Sequence, residues 1–327
     1  MRILVTGGHG FIGSHVLRLL VEDGHDVATL DVADTSAVAA PVADDVAFFR
    51  GDVTDPVDVY DAITTFDPER IIHLASLLGR ESQADPRWAI SVNLLGATNV
   101  LEAAEDLGVD RVVAASSASS YGDMPPDLDT FDETTPQRPS SVYGLTKYAL
   151  EHVGSVYADR GDLDFAAIEP VHGLGPDRER GNVEDAFIVK AGVSGTPLVV
   201  PDVDYPIEII YVGDEARAFV MTTLADELAH DRYVIGTGEQ VTLAEVAAMV
   251  REEVPEADLT VAEVDDEDQL LRRAASDSRR IREDVGWEPI HDVRGAISAY
   301  VEWLRANPDA LSFDADGVPW DAVDGDE

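Results

Sequence analysis

The chain has 327 residues and no cysteine, with 65 acidic residues against 23 basic ones and a formal charge of −42. Disulfides, thiolate catalysis and cysteine–metal sites are excluded, no metal site is read, and the surface repels nucleic acid and anionic membranes. No stretch of about eighteen apolar residues offers a membrane span, and a strand begins without a charged-then-apolar leader, so a cytoplasmic protein is expected. The acids are spread through regular apolar periodicity, which reads as a halophilic surface rather than a disordered tail. Lysine is avoided: Lys147 and Lys190 are the only two.

Arg2-Ile3-Leu4-Val5-Thr6 reads as a strand, followed at once by Gly7-Gly8-His9-Gly10-Phe11-Ile12-Gly13. A helix over 14–21 is stopped by Gly24, and Val27-Ala28-Thr29-Leu30 is a second strand ending in Asp31. The turn reads as Gly8-x-Gly10-x-x-Gly13 or as Gly7-x-x-Gly10-x-x-Gly13. Such glycines allow a tight turn, a close backbone approach to a pyrophosphate, and helix-on-strand packing. The first N–H groups of the helix then hold phosphates. Asp31, 18 positions after Gly13, is placed to accept from a ribose 2′-hydroxyl, which favours NAD over NADP. The bland alternative is a glycine-rich turn without a ligand.

Further strands are expected at 46–49, 71–75, 111–115 and 165–168, with helices at 56–66, 86–107 and 142–160 between them. The run 71–75 is apolar throughout, as in a parallel strand buried on both faces. This alternation argues an α/β fold, a doubly wound parallel sheet with ligands at the strand C-terminal ends. After Pro170 the rhythm weakens. Residues 171–207 read as loops around one helical stretch near 183–193. A strand at 207–212, a helix at 214–225 and a strand at 233–236 follow. Thr242-x-x-Glu245 forms a capping pattern before a helix to 254, and a last helix runs over 293–305. The division expected is a dinucleotide domain over 1–170, with 207–236 returning to it, a substrate domain over 171–206 and 237–312, and an acidic tail over 313–327.

Tyr143 and Lys147 lie four apart, on one face of a helix. A tyrosine near pKa 10 is a poor base at neutral pH. A nearby ammonium, with the positive ring of an oxidised nicotinamide, favours its phenolate. Such a group takes a proton from a carbinol while hydride leaves, and Ser117 can bond the same oxygen. An incidental Tyr/Lys pair is the alternative.

The order of glycine turn, Asn93, Ser117, Tyr143 and Lys147 resembles the extended short-chain dehydrogenase/reductase family, the NAD-dependent epimerase/dehydratases. Matching pieces are Thr6–Gly13, Gly51-Asp52-Val53-Thr54-Asp55, His73-Leu74-Ala75-Ser76, Asn93–Thr98, Ser116-Ser117 before Tyr121-Gly122, Ile210–Asp214 and Gly286-Trp287-Glu288-Pro289. The resemblance runs from Met1 to about Arg305 and implies a Rossmann-type sheet with a smaller, mostly C-terminal substrate domain. It implies Tyr143 as acid/base, Ser117 as its partner, and Lys147 on the nicotinamide ribose. Gly7, Gly10, Phe11, Ile12, Gly13, Asp31, Asp52, Val53, Leu74, Ala75, Asn93 and Pro170 would complete the NAD contacts. His73 is expected to be satisfied by packing. His172, Arg178 and Arg180 are candidate substrate contacts, with a structural role open for His172. The helices over 86–107 and 142–160 imply a homodimer.

Two departures bear on the substrate. Tyr205-Pro206-Ile207-Glu208 stands where sugar-nucleotide members carry an arginine. Asp265-Asp266-Glu267 stands near their Arg-Pro-Gly-Asp stretch, with Arg272 and Arg273 close by. Three readings follow. The first is an NAD-dependent oxidoreductase working at a carbinol of a sugar-type substrate, foremost a nucleotide-sugar epimerase. The second is a dehydrogenase of a free sugar, sugar acid or small hydroxy compound. The third is a non-catalytic NAD-binding protein, against which the intact Ser117, Tyr143 and Lys147 speak.

Overall fold

The structure is a computed structural model that describes residues 1–311 apart from 35, 126, 179–182, 204 and 264–272. In chain order its first half holds β1 (Arg2–Thr6), α1 (Phe11–Glu22), β2 (Asp26–Asp31), β3 (Val46–Arg50), α2 (Pro56–Phe66), β4 (Arg70–His73), α3 (Gly79–Ala84), α4 (Pro86–Ala89), α5 (Ala97–Leu107), β5 (Arg111–Ala115), β6 (Thr130–Phe131), α6 (Val142–Arg160) and β7 (Asp164–Pro170). The second half holds β8 (His172–Leu174), α7 (Glu184–Ser194), β9 (Leu198–Asp202), β10 (Ile207–Tyr211), α8 (Val212–Leu224), β11 (Arg232–Ile235), β12 (Gln240–Val241), α9 (Leu243–Glu253), β13 (Leu259–Glu263), β14 (Ala275–Ser276), α10 (Arg279–Val285) and α11 (Val293–Ala306). A π-helical stretch, Ile90–Gly96, joins α4 to α5, so the long helix expected over 86–107 is continuous but locally underwound.

Seven parallel strands form the central sheet in the order β11-β7-β5-β4-β1-β2-β3. The winding reverses between β1 and β4, and the crevice outside their C-terminal ends is where such sheets bind ligands. The inner strands are apolar because helices cover both faces. One core packs α1 and α8 on one face; the other packs α2, α5 and α6 on the opposite face. A third core joins α7, α9 and α11 with the short strands of the second half.

Local chemistry sets the helix ends. Asp55, Ser141 and Asp292 cap α2, α6 and α11 through Val57 N, Gly144 N and Gly295 N, each satisfying a donor left unpaired by helix geometry. Thr242 and Glu245 form the expected reciprocal box at α9.

Two expectations need correction. The segment 171–207 holds strands β8 and β9, not loops alone; runs of three and five residues carry too little periodicity to read. The strand expected at 207–212 does not return to the large sheet. The edge beside β7 is taken by β11, Tyr233 lying opposite Ile168. β10 instead pairs with β8, Ile210 opposite Gly173, and with β12. This small sheet sets β8 at the end of β7. The expected acidic tail, Arg180, Arg272 and the acids 265–267 lie outside the described residues. Among the described residues no helix is long and apolar enough to cross a membrane.

Candidate active site

The cofactor cleft begins where β1 ends. Gly7 has φ +74°, and a Cβ there would stand 2.7 Å from Ala75 N. A Cβ on Gly13 would stand 2.1 Å from Gly7 O. Only glycine permits both the turn and the helix's approach to it. Gly10 precedes α1 without a side-chain cap, so the N–H groups beside Phe11 and Ile12 remain available to an anion. Leu74 N donates to Thr6 O at 2.9 Å, tying the end of β4 to that of β1.

Asp31 closes the loop. Its Oδ2 accepts from His9 N and its Oδ1 from Ala33 N, each at 2.9 Å. Asp52 Oδ1 accepts from Thr54 N, and Val53 is buried against Gly96. Pro170 is the last residue of β7. The glycine cradle, the uncapped helix start and the carboxylate at the end of β2 fit a dinucleotide. Asn93 lies under the loop after β4. Its amide accepts from Leu77 N at 2.7 Å and donates to Leu77 O and Thr146 Oγ1. In this arrangement it braces the loop after β4 against α6. His73 is buried on Thr6, its Nδ1 2.7 Å from Oγ1, and burial pushes its pKa down to about 3.

Ser117 follows β5, and Tyr143 and Lys147 project from the first turns of α6. The Ser117 hydroxyl accepts from Ser119 N at 3.1 Å and lies close enough to the Tyr143 phenol to favour its ionised form. Lys147 Nζ donates to Ala115 O at 2.8 Å and stands 5.5 Å from the Tyr143 ring centroid. Burial pulls its pKa down to about 7, opposed by Glu151 one turn on. Burial pushes the Tyr143 phenol up, while Ser117 and the guanidiniums of Arg178 and Arg273 pull it down and Glu215 pushes it up. Arg178 and Arg273 thus add to the positive groups near the phenol, beside the Lys147 ammonium that the sequence pairs with it.

Arg178 lies 5.0 Å from the Phe11 ring centroid. Arg273 donates to Ser119 Oγ at 3.1 Å, on the side of Ser117. His172 Nε2 is 2.9 Å from Oδ1 of the buried Asp185 on α7. Glu208 is a buried acid with structural partners. Its carboxylate accepts from Gly238 N at 2.7 Å, Ser276 N at 2.7 Å and Ser276 Oγ at 2.5 Å, stapling β10 to β14.

Arg273, Asp185 and Glu215 were not singled out as site residues. Arg273 lies beside an arginine already noted, and its place next to Tyr143 depends on the fold. The two acids carry no sequence signal in a chain with 65 of them.

A glycine-turn dinucleotide cleft opening on a Ser/Tyr/Lys set defines an NAD-linked oxidoreductase of the Rossmann class. The sequence model of the NAD dependent epimerase/dehydratase family matches residues 3–236. The chain belongs to that family, and is an NAD-dependent enzyme. A UDP-glucose 4-epimerase of Mycolicibacterium smegmatis is 32% identical over 318 residues, covering 93% of this chain and 99% of its own. A dTDP-glucose 4,6-dehydratase of Neisseria gonorrhoeae is 29% identical over 93% of this chain and 96% of its own. The crystal structure of Thermus thermophilus UDP-glucose 4-epimerase in complex with NAD is 33% identical, with TM-score 0.83 over 93% of this chain and 99% of that one.

Proposed function

We propose that the protein is a nucleotide-sugar 4-epimerase with Tyr143 as its acid/base. The observation that carries this is Tyr143 on α6 with the Lys147 ammonium 5.5 Å from its ring centroid, at the mouth of the glycine-turn cleft, its phenol favoured as the phenolate by Ser117, Arg178 and Arg273. Arginines whose charge reaches the phenol suit a substrate with a diphosphate, and full-length likeness to UDP-glucose 4-epimerases supports the same choice. NAD, when bound, takes up a hydride and gives it back. Tyr143 removes the proton of the 4-hydroxyl as that hydride departs, and Ser117 donates to the same oxygen. The 4-keto sugar then presents its other face, the hydride returns to C4, and Tyr143 returns the proton to the oxygen. Lys147, donating to Ala115 O, is assigned to the nicotinamide ribose. Asp31 is assigned to the adenosine ribose, and Phe11, Ile12, Asp52, Val53, Leu74, Ala75 and Pro170 to the walls of the cofactor cleft. Arg178, Arg273 and His172 are assigned to the substrate.

The test is incubation of the full chain in molar potassium chloride with UDP-glucose, dTDP-glucose and free sugars, products being read by NMR. Appearance of UDP-galactose without accumulation of NADH supports the epimerase. Loss of water from dTDP-glucose would make the chain a dehydratase. Steady NADH formation from a free sugar or sugar acid would make it a dehydrogenase.

Three further assignments accompany this reading. Trp88, Ile90, Leu95, Leu145 and Val156 are large apolar side chains 42–56% exposed, carried by the 86–96 stretch and α6, which pack against each other. They support a homodimer formed through these helices. The charge of −42 supports a halophilic host. The compartment assigned is the cytoplasm, where dissolved NAD is available.

A further inference from the structure

Glu215 is a carboxyl that the fold buries without completing its hydrogen bonds. It lies in the first turn of α8, is 1% exposed, and its Oε2 has no hydrogen-bond partner among the described residues. An apolar side chain would fill this space without the cost of an unmet acceptor. Its surroundings locate it. A Cβ added at Gly173 would meet Glu215 Oε2 at 2.6 Å, Oε1 at 2.8 Å and Phe11 Cε1 at 2.8 Å. The carboxyl and the edge of the glycine-loop phenylalanine thus converge on the bare backbone of β8, three residues beyond Pro170. Burial pushes the pKa of Glu215 up to about 8, Arg178 opposes that shift, and the carboxyl acts in turn on the Tyr143 phenol. Glu215 therefore lies beside the glycine-loop phenylalanine at the cofactor cleft, within electrostatic reach of the acid/base.

Hydride exchange at a carbinol held by Tyr143 requires the nicotinamide ring beside that phenol. The ring's carboxamide is attached to the carbon next to the one that takes the hydride. A primary amide carries the N–H donor that Oε2 lacks, and the missing side chain at Gly173 leaves the space for it. We propose that Glu215 accepts a hydrogen bond from the carboxamide of the nicotinamide and so reads the amide end of NAD. This inference rests on the reading of Tyr143 as the acid/base.

The test is a binding measurement that needs no turnover. Calorimetric titration in molar potassium chloride compares NAD with 3-acetylpyridine adenine dinucleotide, in which a methyl ketone replaces the amide. The carbonyl is kept and the N–H donors are lost. The wild-type chain is expected to bind NAD about tenfold more tightly, the worth of one buried hydrogen bond. Glu215→Leu is expected to bring the two within about twofold of each other, each closer to the affinity of wild type for the analogue. Glu215→Gln, which keeps a carbonyl oxygen at the same reach, is expected to retain the preference. Glu215→Val replaces the leucine variant if melting curves show that leucine is not accommodated. Equal wild-type affinities, or an undiminished preference in the apolar variant, would overturn the proposal. Failure of the underlying reading shows elsewhere, as undiminished turnover in Tyr143→Phe.

Discussion

The Lys147 ammonium stands 5.5 Å from the centroid of the Tyr143 ring and donates its 2.8 Å hydrogen bond to the Ala115 carbonyl. The four-residue spacing does bring the two side chains together on α6, but the charge is anchored to the end of β5. There it holds the strand from which Ser117 emerges. Arg178 and Arg273 also favour the phenolate. On the proposed reading, acid/base work falls to Tyr143 and cofactor positioning to Lys147.

That separation predicts how substitutions divide. Tyr143→Phe removes one oxygen and leaves the Lys147–Ala115 bond in place. It is expected to lower kcat by roughly 10²–10⁴-fold, the usual worth of a positioned acid/base, with NAD affinity nearly unchanged. Lys147→Met is expected to weaken NAD binding and turnover together. Arg273→Gln is expected to leave NAD binding intact and to move the rising, acid-side limb of the pH profile to higher pH, because a cation favouring the phenolate is lost. Steady-state kinetics beside calorimetric titration check all three, and undiminished turnover in folded Tyr143→Phe would remove the assignment.

Asp31 predicts cofactor choice. Its carboxylate already accepts from His9 N and Ala33 N, so it is fixed at the end of β2 as a negative group. A phosphate on the ribose 2′-oxygen would meet like charge there. NAD is expected to bind more tightly than NADP, and Asp31→Ala to narrow the gap from both sides. Titration of both cofactors into both proteins decides it; tighter NADP binding by the wild type would reverse the assignment.

Much of this was legible in the sequence because it rests on local rules. The glycine turn, the apolar runs of β4 and β5, and the Thr242–Glu245 box announce themselves within a few residues. β8 and β9 do not, since each is too short to display a period and is defined by partners far along the chain. The same distance hides Arg273, which meets Ser119 across 154 positions. It also hides the stapling role of Glu208, which reads as an acid in a ligand site until Ser276 is seen to satisfy it. Glu215 is invisible for a different reason: only its burial distinguishes it from the other acids.

Burial of that carboxyl predicts a pH dependence of stability. Burial pushes the pKa of Glu215 up to about 8 from an ordinary 4.5, so between these values the folded chain holds a proton that the unfolded chain has lost. Its contribution is complete below the lower value and is lost as pH rises through the upper one. Lys147, pulled down to about 7 from 10.5, works in the other direction, but only as pH rises from about 7. The melting temperature of the wild type is expected to fall more steeply between pH 5 and 7 than that of Glu215→Gln, by a few degrees over about one to two pH units. Parallel curves for the two proteins would mean that the carboxyl is not held neutral.

The surface charge predicts a salt response. Repulsion among carboxylates acts over about 10 Å at 0.1 M salt and about 3 Å at 1 M. At a charge of −42 the folded chain is expected to gain stability steadily as potassium chloride is raised to molar concentration. A melting temperature indifferent to salt would remove the halophilic reading.

The last prediction concerns assembly. Leu95, Leu145 and Val156 are 54%, 51% and 56% exposed, on the helical stretch after α4 and on α6. In an acid-rich surface such apolar groups are conspicuous, and exposed apolar surface of this kind marks association. A two-fold axis through this face would bring each patch against its own copy, since isologous contacts are self-complementary. Light scattering in molar potassium chloride is expected to give twice the chain mass of 35.2 kDa. A single Leu145→Glu substitution would place a charge in the interface twice, once from each copy. It is expected to shift the protein to the monomer mass while its far-ultraviolet dichroism remains that of the wild type. High salt screens the added charge but does not restore the lost apolar contact, so the dissociation should persist at molar salt. A wild-type monomer, or a dimer untouched by both Leu145→Glu and Leu95→Glu, would show that association does not use this face.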